Sequence, residues 1–234
     1  MVDLSRRSVS PEYMDEASVD GTDVVYALQE LEYVNRLLGG TRATLRALAR
    51  CVKAAPGTVV DILDLGTGAG DIPVAIVQWA RARAIEVRIV AVDFNPFICA
   101  WTRKRVADFP EIEVREGDVF ALPFAPGSFD YVHCAMLLHH FPQAEAAHIL
   151  CIMHALCRQA LIANDLHRHP VAFHAIKWLT QLLSRSPMVK HDAPVSVLRG
   201  FQRSDLEELG RLSGLDGLSI ERSWPFRFVM SVPK

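Results

Sequence analysis

Two periods of apolar residues run along this chain, and they divide it into strands and helices. Short, almost unbroken apolar runs near 59–65, 86–92, 112–115, 129–135 and 159–164 read as strands buried on both faces of a sheet. Between them, apolar residues recur at helical spacing near 71–84, 96–108 and 142–156. Pro73, Pro96 and Pro142 each fall in a first helical turn, where a missing N–H costs little. Strands alternating with helices predict an α/β fold with a doubly wound, mostly parallel, Rossmann-like sheet and right-handed crossovers.

The flanks carry helical patterns of their own. Val24, Leu28, Leu31, Val34 and Leu38 repeat at helical spacing, and Gly39-Gly40 stops that helix. Thr41 is placed to cap a second helix through about Ala54, with Leu45, Leu48 and Val52 inward. Residues 1–22 are polar and read as a mobile tail. Downstream, 166–203 exceeds a minimal strand–helix alternation: an apolar helix, Val171 to Leu183, precedes breaks at Ser186-Pro187 and Ala193-Pro194. Ser204-Asp205-Leu206-Glu207 reads as a capping box for a last core helix. Strands near 217–223 and 226–232 then close the chain around Trp224-Pro225. One domain is expected over 23–234: helices in 23–55, a core in 56–165, a lid in 166–203, a helix and hairpin in 204–234.

Composition narrows the class. A chain of 234 residues, 50% hydrophobic, is long enough for one full core. A net charge of −2 lacks the basic footprint of a nucleic-acid binder. No apolar run is long enough to span a membrane, and Arg6-Arg7 precedes a polar, acidic stretch where an export signal needs an apolar one. The five cysteines form no C-x-x-C pair and read as reduced, buried thiols of a cytoplasmic protein. None of the nine histidines forms H-x-x-x-H or H-E-x-x-H on a helix, so no dedicated metal site is expected. His148 and His154 fall off the apolar face of their helix and read as surface residues.

The chemistry concentrates at strand ends. The first strand runs into Asp64-Leu65-Gly66-Thr67-Gly68-Ala69-Gly70-Asp71, a glycine-rich turn opening a helix. Such a turn lets backbone come against a ligand and presents N–H groups to an anion. A dinucleotide loop, G-x-G-x-x-G, would need a third glycine where Asp71 stands. Acids on both sides of the loop suit a ligand with an ammonium and repel a pyrophosphate. Asp93 ends the second strand, where a carboxylate can accept both ribose hydroxyls, and Asp118 follows the third.

The spacing D-x-G-x-G-x-G with Asp93, and then Leu122-Pro123-Phe124 through Gly127-Ser128-Phe129-Asp130 and Leu138-His139-His140-Phe141, resembles the class I S-adenosylmethionine-dependent methyltransferases. The likeness covers roughly 59–165 and is similar to bacterial small-molecule enzymes of ubiquinone/menaquinone-biosynthesis, phenolic-lipid and polyketide type. It implies a seven-stranded sheet whose closing strands form an antiparallel hairpin, with 166–203 as a helical lid. It implies S-adenosyl-L-methionine as cofactor, leaving S-adenosyl-L-homocysteine, and places Asp118 beside the adenine. Expected cofactor contacts are Asp64, Gly66, Thr67, Gly68, Gly70, Asp71, Asp93, Phe94, Asn95, Asp118, Val119, Cys134 and Ala135.

For the acceptor, the first expectation is the oxygen of a lipophilic phenol or polyketide, a secondary-metabolism role, with C-methylation of a quinone ring as alternative. His140, after the fourth strand, and His167, after the fifth, stand where an imidazole could take a proton. Tyr33, His139, Phe173 and Trp178 are the candidate acceptor contacts. Arg168, Lys177, Arg185 and Lys190 either are merely solvated or favour an anionic substrate or membrane surface. Two rivals stay open. A nicotinamide oxidoreductase lacks its third glycine here, and a non-catalytic S-adenosylmethionine-binding protein would usually have lost the glycines or Asp93.

Overall fold

The computed structural model describes residues 2–16, 19–53 and 57–234. Five parallel strands form most of the sheet: β1 (Val59–Leu65), β2 (Glu86–Asp93), β3 (Ile112–Glu116), β4 (Phe129–Ala135) and β5 (Cys157–Leu166). β6 (Ser219–Ser223) and β7 (Arg227–Pro233) run antiparallel to their neighbours, giving the order β3-β2-β1-β4-β5-β7-β6. The order reverses between β1 and β4, and in an open α/β sheet that switch point opens a crevice at the strands' carboxyl ends.

Helices cover both faces. One core layer packs α5 (Gln143–Leu156) and α8 (Arg203–Ser213) on the sheet through Leu150, Met153, Leu206 and Leu209. The other packs α2 (Gly40–Cys51), α3 (Asp71–Arg81) and α4 (Pro96–Arg105) through Leu48, Ile76, Val77 and Cys99. α1 (Gly21–Leu37), α6 (Pro170–Leu183) and α7 (Pro187–Arg199) form a separate cluster around Ala27, Phe173, Ile176, Val189 and Val197. With α1 and α7 against each other, this cluster stands over the strands' carboxyl edge rather than on a sheet face.

Several local expectations need correction. Pro194 does not break the chain: α7 runs through it, because buried Val189, Ala193 and Val197 hold the helix despite one missing N–H. Thr41 lies inside α2, whose cap is Gly39 in the left-handed region (φ 74°). The capping box of α8 uses Gln202 and Asp205, two residues earlier than the expected Ser204 and Glu207. The expected end of α2 at Ala54 lies outside the described residues. The described part of the amino-terminal tail is not free either. The Arg7 guanidinium donates to the carbonyls of Arg199, His139 and Phe141 and stacks 4.2 Å from the Phe201 ring centroid. Asp192 accepts from the amides of Tyr13 and Met14, and Glu12 is buried. A polar strap thus closes over the carboxyl edge because its polar groups find buried partners there.

Candidate active site

The loop between β1 and α3 holds three glycines at positive φ: Gly66 (70°), Gly68 (49°) and Gly70 (73°). They serve different ends. A Cβ on Gly70 would lie 2.9 Å from Thr102 Cγ2 and 3.1 Å from Val106 Cγ1, so this glycine lets α3 and α4 approach. A Cβ on Gly68 would have Leu28 Cδ2, at 3.8 Å, as its nearest neighbour, which leaves open space above the loop. Asp93 braces this turn: one carboxylate oxygen accepts from the Gly68 amide at 2.9 Å, the other from the Asn95 amide at 3.1 Å. Burial pushes the Asp93 pKa up.

Above the loop lies a cavity of about 1190 Å³. Of the expected cofactor contacts, Asp64, Gly66, Thr67, Gly68, Asp71, Asp93, Phe94, Asp118, Val119 and Ala135 line it. Asp64 also holds His133 across the sheet, with its Oδ1 2.6 Å from Nδ1, and His133 reaches Thr44. Asp71 accepts from the Asn35 amide nitrogen at 3.1 Å, and burial raises its pKa. Toward α1, α6 and α7 the wall turns apolar, with Leu31, Val34, Ile176, Leu179 and Val197.

At the junction of the two halves sits His139, in the single 3₁₀ turn Leu138–His140 after β4. Its Nδ1 lies 2.7 Å from Asp165 Oδ1, and its amide donates to Asp165 Oδ2 at 3.2 Å. Burial pushes Asp165 up, but the charge and hydrogen bond of His139 outweigh it and hold the carboxyl below its usual range. An ionised Asp165 only accepts, so Nδ1 of His139 carries a proton, and in the neutral form of the ring Nε2 is the acceptor. Nε2 is buried without a hydrogen-bond partner, and so is Glu12 Oε1, 3.6 Å away. The other Glu12 oxygen accepts from Ser196 Oγ at 2.8 Å, and burial raises the Glu12 pKa. His140 faces Asp15, which also takes a bond from Arg199; together they outweigh burial and keep Asp15 well below the carboxylate range.

Glu12, His139 and His140 offer ligand-type atoms within 4.8 Å of one another, an arrangement a local histidine motif cannot reveal. A cation could be held there. The Arg199 guanidinium, 3.9 Å from Glu12 Oε1, already supplies positive charge, so the group reads first as a site for handling a proton.

Other candidates do not reach the cavity. Gly70 packs against α4. Asn95 caps that helix, accepting from the Phe97 and Ile98 amides at 2.9 and 3.1 Å, and donates to the Val19 carbonyl. Cys134 points into the core, 3.8 Å from Met153 Sδ, and burial drives its pKa well up. Phe173 is buried among the lid helices, while Tyr33 and Trp178 face outward. His167 turns away as well, its ring packed on Phe228 and His169, and burial lowers its pKa to about 4. The expected pair His140 and His167 therefore does not converge; among the described residues, His139 and His140 line the cavity.

Three further cavity residues carried no local signal. Besides Glu12, they are Asn35 and Arg227. Arg227 is buried, donates to Asn35 Oδ1 at 2.9 Å, and keeps Nε and Nη1 without partners. Burial lowers its pKa to about 10.

The family described as "Methyltransferase domain" matches residues 62–160, the segment from β1 to β5. Those 99 residues, under half of the chain, are similar to that methyltransferase domain. A demethylmenaquinone methyltransferase from Deinococcus radiodurans is 32% identical over 133 residues, which cover 52% of this chain and 53% of that protein. The chain thus spans about half the length of that relative. In fold, the chain resembles a SAM-dependent methyltransferase from Aquifex aeolicus, with TM-score 0.60, 14% identity, and 88% and 96% of the two chains covered. Human N-acetylserotonin methyltransferase matches at TM-score 0.62 and 18% identity over 91% of this chain and 56% of its own.

Proposed function

We propose that this chain uses S-adenosylmethionine to methylate the oxygen of a lipophilic phenol or polyketide. The observation that carries the reading is a continuous cavity, polar at the glycine loop and apolar toward α1, α6 and α7, with His139 Nε2, which has no hydrogen-bond partner, where the halves meet. The residues present fit the cofactor. Open space over Gly68 admits it, Asp93 suits ribose hydroxyls, and Asp118 stands at the outer edge. Asp71 suits an ammonium, and the two orphaned nitrogens of Arg227 suit the carboxylate beside it. When bound, the cofactor supplies an electrophilic methyl carbon on a sulfonium.

The chain's own residues then position and deprotonate. Holding an acceptor oxygen in line with that carbon can lower the barrier by about 7–11 kcal/mol. His139 Nε2 takes the hydroxyl proton while Asp165 stabilises the charged imidazole, worth roughly 10²–10⁴-fold for a weakly acidic hydroxyl. The lid helices and the strap of residues 7–16 exclude water. C-methylation of a quinone-type ring is the second reading, favoured by the demethylmenaquinone methyltransferase likeness. Incubation with methyl-labelled S-adenosylmethionine and a panel of alkylphenols and quinols separates the two. Label recovered as an aryl methyl ether supports the first reading, label on ring carbon the second, and label in neither class of product refutes both.

A further inference from the structure

We infer that the rim formed by α1, α6 and the β6–β7 turn docks on an anionic membrane surface. Large apolar side chains cluster there in the open: Tyr33 (65% exposed) and Leu37 (56%) on α1, Trp178 (68%), Leu182 (76%) and Leu183 (70%) on α6, and Trp224 (78%) in the turn. The same elements wall the apolar half of the cavity through Leu37, Leu38, Ala175, Leu179 and Pro225. They also touch one another. Glu30 of α1 accepts from the Ser184 hydroxyl and the Arg185 amide just beyond α6, and a Cβ on Gly39 would lie 3.2 Å from the Trp224 carbonyl. Ala175 and Leu37 are both exposed and cavity-lining, which marks an opening on this rim. Tryptophans exposed this far are out of place in water and at home at a bilayer interface, where an apolar ring meets a wet boundary.

Charge selects the partner. From His167 to His191 there is no acidic residue, although the whole chain has net charge −2. Exposed Lys177 and Arg185 flank Trp178 and Leu182. Around the corner, a shallow groove is lined by Arg36, Arg42 and Arg46, and none of the ion pairs among the described residues engages these three or Lys177. A second copy meeting the same patch across a two-fold axis would bring these cations together, whereas anionic headgroups would neutralise them. Apolar side chains then enter the interface beside an opening through which a lipophilic acceptor can pass from the bilayer.

The inference draws on the lipophilic-acceptor reading, yet it is read without turnover, so the two fail separately. The test is sedimentation of the full chain with phosphatidylcholine vesicles and with vesicles that also contain phosphatidylglycerol. The wild-type chain is expected to pellet with the anionic vesicles and to be released by high salt. Lys177→Gln with Arg185→Gln should weaken partitioning roughly thirtyfold, from about fivefold per basic residue near an anionic surface. Trp178→Ser with Leu182→Ser should weaken it further, with melting temperature and S-adenosylhomocysteine affinity as controls of folding. No pelleting of the wild type, or pelleting equal for all variants, overturns the proposal. So does a stable dimer that the Trp178→Ser, Leu182→Ser variant dissolves while vesicles are ignored.

Discussion

Replacing Asp165 with Asn probes the proposed chemistry with little change of shape. In the wild type both carboxylate oxygens are engaged by His139, through Nδ1 at 2.7 Å and the backbone amide at 3.2 Å. The Leu166 amide adds a third bond at 2.7 Å. An asparagine keeps one acceptor for these donors. If its amide nitrogen turns to the ring, it donates to Nδ1 and the remaining proton moves to Nε2, the atom that must accept from the substrate. Loss of a general base is worth about 10²–10⁴-fold, or roughly 2.7–5.5 kcal/mol of barrier. The deficit should be largest below the acceptor's own pKa, near 10 for a simple phenol, and shrink above it. The assay is kcat against pH with labelled methyl donor, beside calorimetric S-adenosylhomocysteine binding and thermal melting. Cofactor affinity should move by less than about twofold. A variant that binds cofactor normally, melts normally and keeps kcat within about threefold at neutral pH would refute the base assignment.

Asp93→Ala should weaken S-adenosylhomocysteine far more than Asp118→Ala, because Asp93 is buried and also holds the Gly68 and Asn95 amides, each charge-assisted bond worth about 1.5–3 kcal/mol gross; equal losses by titration would reverse that ranking. Gly70→Ala should destabilise the fold, since its Cβ would come within 2.9 Å of Thr102, while Gly68→Ala should retain more of the melting temperature and lose cofactor affinity. His167→Phe should leave kcat near wild type. Its depressed pKa, from 6.5 to about 4, means the unfolded chain binds the proton first, so wild-type stability falls as pH drops from 6.5 to 4 and is whole above 6.5. The variant should lose that dependence, at most about 3 kcal/mol and less after solvent screening, as read by denaturant unfolding across that window.

What could be read in advance was local in sequence. Each strand run ended in its own acid or glycine, so Asp64, Gly68, Asp93 and Asp118 could be placed at one sheet edge before any coordinates. Ring direction was not legible. His139 and His140 are adjacent, and only the 3₁₀ turn and buried Asp165 decide which imidazole is held by the strand-end acid. α6 carries apolar residues on both its faces, Trp178 and Leu182 standing among exposed His174, Lys177 and Gln181, so apolar character alone did not tell that Ile176 and Leu179 face the cavity while Trp178 faces out. Glu12 and Arg227 belong to segments far apart in the chain, and the strap looked like any polar terminus until its partners were in place.

The central claim, that this cavity is built for S-adenosylmethionine and not for a dinucleotide, is tested most directly by calorimetric titration of the wild-type chain with S-adenosylhomocysteine and, separately, with NAD. The account predicts saturable one-to-one binding of S-adenosylhomocysteine and no heat from NAD at the same concentrations. NAD binding as tight or tighter, or no S-adenosylhomocysteine binding by a folded chain, would contradict it.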